Sequence, residues 1–502
     1  MAVARMRTLI PCIVLAAAAT CIAACGSSRA VPVPTPTAPA GSIQPARTSA
    51  AQLVDWREFG LDPQRSDTTA LATGITAANV GGLHRRRVSL PGTVDSSPIY
   101  LHAASVHGAR HETIFVTTTY GRTLAIDAQT GATLWTFTPP GYRSWEGSSQ
   151  ITTTSPLADP DAPFVYAASP NGLIHKLAVA NGREQPGWPV RVTLDPMREK
   201  LAAALNVDGS ELIATTGGYF GDAPPYQGHV VLIDRATGRI ARVFNTLCSA
   251  RHHLIQPPSC PASDSAILSR AGAVVEPGGG RLLISTGNGP YDGREDFGDS
   301  VLELTFPGLG LRQSFTPTDQ AHLNATDSDL GSSAPALLGS QRVLIAGKDG
   351  VLRVLALGAL DGHPSGSAAA ARRPLGGEVQ RLSVPGGGEL FTAPAVWRGT
   401  TVFIADGDGT AAYVLRHGQL LRVWQNSAAG TSPILAGGLL YVYDPSEGGI
   451  RVYEPATGRA IAKLPGSPGH WNSPIVVDGH VVEAEGDANG HLGSGTIEIF
   501  SR

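Results

Sequence analysis

Leu124 to Trp135 reads LAIDAQTGATLW. An alternating apolar segment runs into an Asp-x-x-Thr-Gly turn and out into a second alternating segment. Period-2 alternation on both sides of a glycine turn marks two antiparallel strands. The turn recurs in HVVLIDRATGRI from His229 and, with Glu in place of Asp, in IRVYEPATGRA from Ile450. Further upstream in each unit stands another strand-like segment (TIFVTTT, PFVYAAS, RVLIAG, TVFIAD or LLYVYD) that ends in a polar Gly turn.

Before that segment comes a small residue followed by Pro. The signature appears as Asp95-Ser96-Ser97-Pro98-Ile99-Tyr100, then as TTSPLA at Pro156, SSAPAL at Pro335, FTAPAV at Pro394, GTSPIL at Pro433 and WNSPIV at Pro474. The last three are spaced 39 and 41 residues apart, whereas Pro156 and Pro335 are separated by 179. That gap holds two degenerate starts, AAALNV near Leu205 and RAGAVV near Val274, which brings the number of units to eight. A four-strand unit repeating eight times predicts an all-β fold, an eight-bladed β-propeller of four-stranded antiparallel blades. The last unit, from Trp471, shows only three strands, and RRRVSL (Arg85–Leu90) stands alone before the first. We expect this N-terminal strand to complete the last blade, because closure from both chain ends leaves no exposed sheet edge.

The N-terminus predicts export. Arg5 and Arg7 precede an apolar run from Thr8 to Ala24 that ends in Ile22-Ala23-Ala24-Cys25. This is the pattern of a signal peptide (residues 1–24), and its end resembles the bacterial lipobox, in which Cys25 carries the lipid. An ordinary signal peptide containing a Cys is the alternative. Gly26 rather than Asp after the Cys favours the periplasmic face of the outer membrane in a double-membraned bacterium. Residues 25–51 are rich in Pro, Ala and Ser, with too little apolar content for a core. They read as a linker that extends ~3.1 Å per residue and holds a domain spanning 52–502 off the membrane.

Charged residues are 16% of the chain and net charge is −3, so no basic face for nucleic acid is implied. Sixty Gly and 38 Pro fit short strands and many turns. Beyond the signal and the lipobox, two cysteines remain, Cys248 and Cys260. In an oxidising compartment they are expected to form a disulfide worth about 3 kcal/mol in the chain-entropy model. The alternative is a metal site with His252 and His253, although the spacing fits no common one.

The stretch LAIDAQTGATLW resembles the repeat of quinoprotein alcohol dehydrogenases, which carry pyrroloquinoline quinone (PQQ). Ala125, Asp127, Thr130, Gly131 and Trp135 match that repeat, and DWREFGLDPQRSD from Asp55 resembles the lead-in of PQQ-like propellers. The resemblance implies the fold from about Asp55 to Arg502, with the Trp docked between blades. It also implies an axial site for PQQ and calcium. In STGNG, Asn288 falls where the family has a calcium ligand; Asp222 is a looser acidic match one blade earlier. Asp327 or Asp329 falls where the catalytic base stands, and Lys348 of AGKDG where a cation reaches the quinone oxygens. Without the resemblance, Asn-Gly after a strand is a preferred tight turn, and Lys348 and Asp329 are solvated charges at a blade edge.

Two departures count against the cofactor. The chain has no adjacent cysteines, and SDSAILSRAGAVVEPGGG, where the family places a Trp beneath the quinone, contains none. No Cys-x-x-Cys-His is present to attach a haem. We therefore expect Asn288 and Lys348 to face one polar pocket that has no aromatic floor. The leading expectation is a monomeric, membrane-tethered propeller without cofactor that binds or scaffolds a protein or polymer partner in the cell envelope. Its architecture resembles the lipoprotein subunit of the outer-membrane assembly machinery. The competing expectation is a calcium- and PQQ-dependent dehydrogenase acting on an alcohol or sugar. A hydrolase or lyase using Asp/His pairs is a distant third.

Overall fold

A computed structural model describes residues 53–219 and 223–502. The signal peptide, Cys25, the linker to residue 51 and Asp222 lie outside the described residues.

The innermost strands begin where the repeat places them. They are Ile99–Val106, Leu157–Ala158, Asn206–Asp208, Val274–Val275, Ala336–Leu338, Ala395–Trp397, Ile434–Ala436 and Ile475–Val477. Each starts immediately after the signature Pro or, in blades 3 and 4, after its degenerate counterpart. Three further strands follow in each blade, antiparallel throughout, giving eight four-stranded sheets. Thr68–Thr69 adds to blade 7 as a short parallel fifth strand. Inner strands such as Ile434–Ala436 are wholly buried, while the fourth strands alternate, as Thr133–Phe137 does.

The ring closes as expected. His84–Leu90 pairs antiparallel with Gly495–Ser501, from His84↔Ser501 to Leu90↔Gly495, and so becomes the outer strand of blade 8. Buried Glu498 clamps the seam, accepting from Arg85 Nη2 at 2.8 Å and Arg87 Nε at 2.5 Å.

The Asp-x-x-Thr-Gly turn works as a local cap. Asp127 Oδ1 accepts from the Thr130 amide at 2.7 Å and its hydroxyl at 2.8 Å, and Gly131 takes φ +76°. Trp135 is then carried onto the next blade, where its Nε1 donates to Val179 O at 2.8 Å. A Cβ at Gly182 would lie 2.6 Å from the Trp135 ring, so the turn beneath it must be glycine. Trp424 repeats the arrangement over Gly458, donating to Pro455 O at 2.8 Å.

The lead-in from Asp55 closes one end of the channel. Its backbone pairs with inner strands around the ring: Trp56 with Tyr100, Arg57 O with Ala158, Pro63 O with Val275, Ser66 O with Val396 and Asp67 O with Leu435. Arg65 is 3% exposed and donates to Ala271 O, Leu205 O, Phe59 O and Glu58 Oε2. The strand pairings all fall after the first residue of an inner strand, away from the signature Pro.

Cys248 and Cys260 are disulfide-bonded, which excludes the Cys/His metal alternative. Among the described residues no helix is long and apolar enough to cross a membrane.

Candidate functional site

The opposite mouth, at the N-terminal ends of the inner strands, stays open. Four residues before each inner strand the chain contributes one residue to the rim: Asp95, Thr153, Ala202, Arg270, Ser332, Phe391, Gly430 and Trp471. These are the first residues of the eight signature segments. Six of them line a cavity of about 300 Å³, joined by Lys200, Tyr219, Leu268, Asp327, Asp329, Lys348, His470 and Asn489. That volume lies at the small end of ligand pockets.

One wall is acidic and already neutralised. Lys348 Nζ sits 2.6 Å from Asp329 Oδ2 and 3.1 Å from Asp327 Oδ1. Asp329 Oδ1 accepts the Asn288 amide at 2.6 Å. Burial raises the Asp329 carboxyl above its ordinary range, with Lys348 and the Asn288 amide partly offsetting it. Burial works against the Lys348 ammonium, but Asp329 more than compensates and its pKa rises. Behind this wall Asp299, wholly buried and bonded to the Leu330 amide at 3.1 Å, is pushed up to about 8 by desolvation.

The facing wall is cationic and aromatic. Arg270 donates to Asp95 O at 2.6 Å and Asp95 Oδ1 at 2.7 Å. His470 Nδ1 is 2.8 Å from Asp95 Oδ2. Burial alone would raise Asp95, yet Arg270 and His470 hold it well below the usual carboxylate range. Trp471 stacks on Phe391 at 4.3 Å between centroids and on His470 at 3.9 Å, with the Arg270 guanidinium 5.6 Å from its ring.

Of the sequence-derived candidates, Asp327, Asp329 and Lys348 come together on one wall. Asn288 does not line the cavity. It reaches the site through its backbone amide on Asp329, and its carbonyl accepts from Ser265 N at 2.5 Å. The structure therefore gives the Asn-Gly turn a backbone role. The expectation of a pocket without aromatic surface is overturned. The stretch before Asn288 supplies Arg270 in place of a Trp, but blades 6 and 8 supply Phe391 and Trp471. Both were visible in FTAPAV and WNSPIV, at the position that precedes the small residues. Arg270, His470 and Lys200 were also missed. Arg270 could have been found from the first letter of RAGAVV; no motif marks the other two.

A resident calcium would need six to eight oxygen ligands. Among the described residues, the clusters of three His, Cys, Asp or Glu side chains are Cys248/Cys260/Asp296 and Asp95/His470/Asp487, and neither includes Asp327 or Asp329. The first contains the disulfide, and the second has the Arg270 guanidinium among its carboxylate and imidazole groups. Asp329 accepts from the Asn288 amide through one oxygen and pairs with the Lys348 ammonium through the other. Of the candidate calcium ligands, Asp222 lies outside the described residues, and the Asn288 side chain does not line the cavity. The aromatic wall, in contrast, offers a face to any flat ligand.

The similarities to known proteins agree with this architecture. The chain resembles quinohemoprotein alcohol dehydrogenase from Comamonas testosteroni with TM-score 0.65 and 16% identity, over 91% of this chain and 81% of that one. A europium-containing methanol dehydrogenase aligns with TM-score 0.64 at 13% identity, over 91% and 99% of the two chains. BamB from Moraxella catarrhalis aligns with TM-score 0.52 at 11% identity, over 84% and 98%. Identities this low establish the fold alone. No curated protein matches the chain. The family model described as outer membrane protein assembly factor BamB matches residues 73–243 and 318–463. More than half of the chain is thereby covered, and the protein belongs to this family of PQQ-like propellers.

Proposed function

We propose that the protein is an exported, envelope-tethered binding propeller whose open axial mouth takes a small anionic ligand with a flat apolar part. The observation that carries this reading is the pairing within the pocket. Lys348 pairs with Asp329 on the acidic wall and Arg270 with Asp95 on the other, which leaves Lys200 as the cation lining the pocket without a partner among the described residues, near stacked aromatic rings. Such a cation attracts carboxylates, and the rings contribute contact area and orientation. The family match and the Pro-rich leash after Cys25 support the envelope setting and the non-catalytic role.

The dehydrogenase reading keeps one supporting observation, since a tricyclic acid such as PQQ could also lie against Trp471 and Phe391. It lacks a described donor set for its metal.

Calorimetry with phenyllactate, an aromatic carboxylate, tests the binding reading. Measurable affinity should fall at least tenfold, about 1.4 kcal/mol, in Trp471→Ala. No binding, or affinity unchanged by that substitution, counts against it. Tethering is tested separately: Cys25→Ala should move the protein from the detergent phase to the aqueous phase or block its maturation.

A further inference from the structure

We propose that Lys200 is a carbonyl-capturing amine: the pocket accepts a small α-keto acid, and Lys200 Nζ condenses with its ketone to form a protonated imine. The inference rests on the reading of the pocket as an anion site.

Lysine is scarce in this chain. Of 38 basic side chains only four are Lys: Lys176, Lys200, Lys348 and Lys463. Two of the four line this one cavity. Arginine serves almost everywhere else that a fixed positive charge is needed. An amine is chemically different, because it can lose its proton and act as a nucleophile.

Three of the lysines are committed. Lys176 Nζ donates to Arg235 O at 2.7 Å, Lys348 Nζ is on Asp329 at 2.6 Å, and Lys463 Nζ meets Glu447 at 3.4 Å. Lys200 Nζ has no hydrogen-bond or ion-pair partner among the described residues. Burial and the nearby positive charge of Arg270 push its ammonium down to about 8, with Asp95 and Asp487 opposing. Neutral amine is thus accessible near neutral pH.

The backbone that carries Lys200 is an addition to the propeller. Eight sheets are blades; a ninth, two-stranded, pairs Glu199–Lys200 with Gly217–Gly218. Glu199 fixes that ribbon from behind. It is wholly buried, receives the Gln227 amide at 3.2 Å and the Thr193 hydroxyl, and lies 3.1 Å from His229 Nε2. A Cβ at Gly218 would be 2.7 Å from the Tyr226 ring, so the facing strand is also held closely. The repeat does not require this ribbon, and the side chain it delivers to the cavity is Lys200.

The remaining groups suit the chemistry. Arg270, which lines the cavity beside Lys200, offers its guanidinium to the carboxylate. His470, fixed through Nδ1 by Asp95, has Nε2 without a partner among the described residues and can pass a proton. The Nζ lone pair forms the C–N bond while the carbonyl π pair moves to oxygen. Amine, ketone and one proton give the protonated imine and one water, with no net oxidation or reduction.

The test is reductive trapping. The mature protein is incubated with phenylpyruvate and cyanoborohydride, and the adduct is located by intact mass and peptide mapping. We expect one adduct, on Lys200, reduced at least tenfold in Lys200→Arg, unchanged in Lys463→Arg and suppressed by excess phenyllactate, which cannot condense. Adduct spread evenly over the four lysines, or unchanged in Lys200→Arg, overturns the proposal. If Lys200→Arg does not fold, peptide mapping of the unsubstituted protein decides alone. If phenyllactate binds but phenylpyruvate leaves no adduct, the imine falls and the anion reading stands; if neither binds, both fall.

Discussion

The two ends of the channel treat buried charge in opposite ways. At the closed end Arg65 spends its donors on three backbone carbonyls and Glu58, and the contacts to Ala271 and Leu205 tie the lead-in to two blades. Desolvation pushes the Glu58 carboxyl up to about 7 although Arg65 opposes the rise, and burial raises Asp67 well above its ordinary range too. At the open end Arg270 is tied down likewise, but Lys200 and His470 Nε2 are left facing a cavity with no partner among the described residues. The paired charge at one end ties the lead-in to the blades, whereas the Lys200 ammonium at the other has no partner among the described residues. Both ends are built from segments flanking the same inner strands.

If that contrast is correct, the largest stability loss belongs to the closed end. Arg65→Leu strands Glu58 and leaves carbonyls from the rim of the seal unpaired. A loss of about 3–5 kcal/mol in urea denaturation is expected, and a loss below about 1 kcal/mol would mean the lead-in is a passive cover. Next comes the disulfide loop, which lies outside both ends. Cys248→Ser with Cys260→Ser should cost about 3 kcal/mol while leaving ligand affinity at the open mouth unchanged.

Asp299 sharpens the open-end account through pH. Its folded pKa, about 8, lies far above the ordinary 3.8, so the folded state retains a proton that the unfolded chain has lost. Stability from this residue is therefore full at acid pH and declines from about pH 4 until about pH 8. Asp299→Asn mimics the protonated carboxyl. It should stabilise the protein at pH 8 and leave it nearly unchanged at pH 4, with a gain on the order of 1–3 kcal/mol read from melts at both pH values. A variant that is less stable at pH 8 would show that the carboxylate form is needed there. The smallest effect belongs to Lys463→Ala, whose partner Glu447 is exposed, and should stay within about 0.5 kcal/mol.

The fold was legible because a propeller writes the same constraint eight times. The Asp127–Thr130 cap, the glycine beneath each docked Trp and the proline before six of the eight inner strands all appear as local strings. Closure was legible because Arg85–Leu90 had the pattern of a fourth strand and the last unit lacked one. The site was legible only where one element carries it, as with Lys348 and the Asp327/Asp329 pair. Its other wall assembles from Arg270, Phe391 and Trp471, which are 80 to 201 residues apart in sequence and meet only because each repeat turns about the axis. Lys200 and His470 carry no motif, and their importance comes from what fails to pair with them. Asn288 shows the converse: the string draws attention to its side chain, whereas the contact to Asp329 is made by its amide.

The central claim is that the open mouth binds small anions without a metal-quinone centre. Calorimetry of the mature protein with PQQ, in calcium and then in chelator, tests it most directly. The account predicts that any PQQ affinity is that of an aromatic acid, weakened by Trp471→Ala and the same with calcium or without it. Tight binding that appears only with calcium and is lost at least tenfold in Asp329→Ala would contradict the account and restore the dehydrogenase reading.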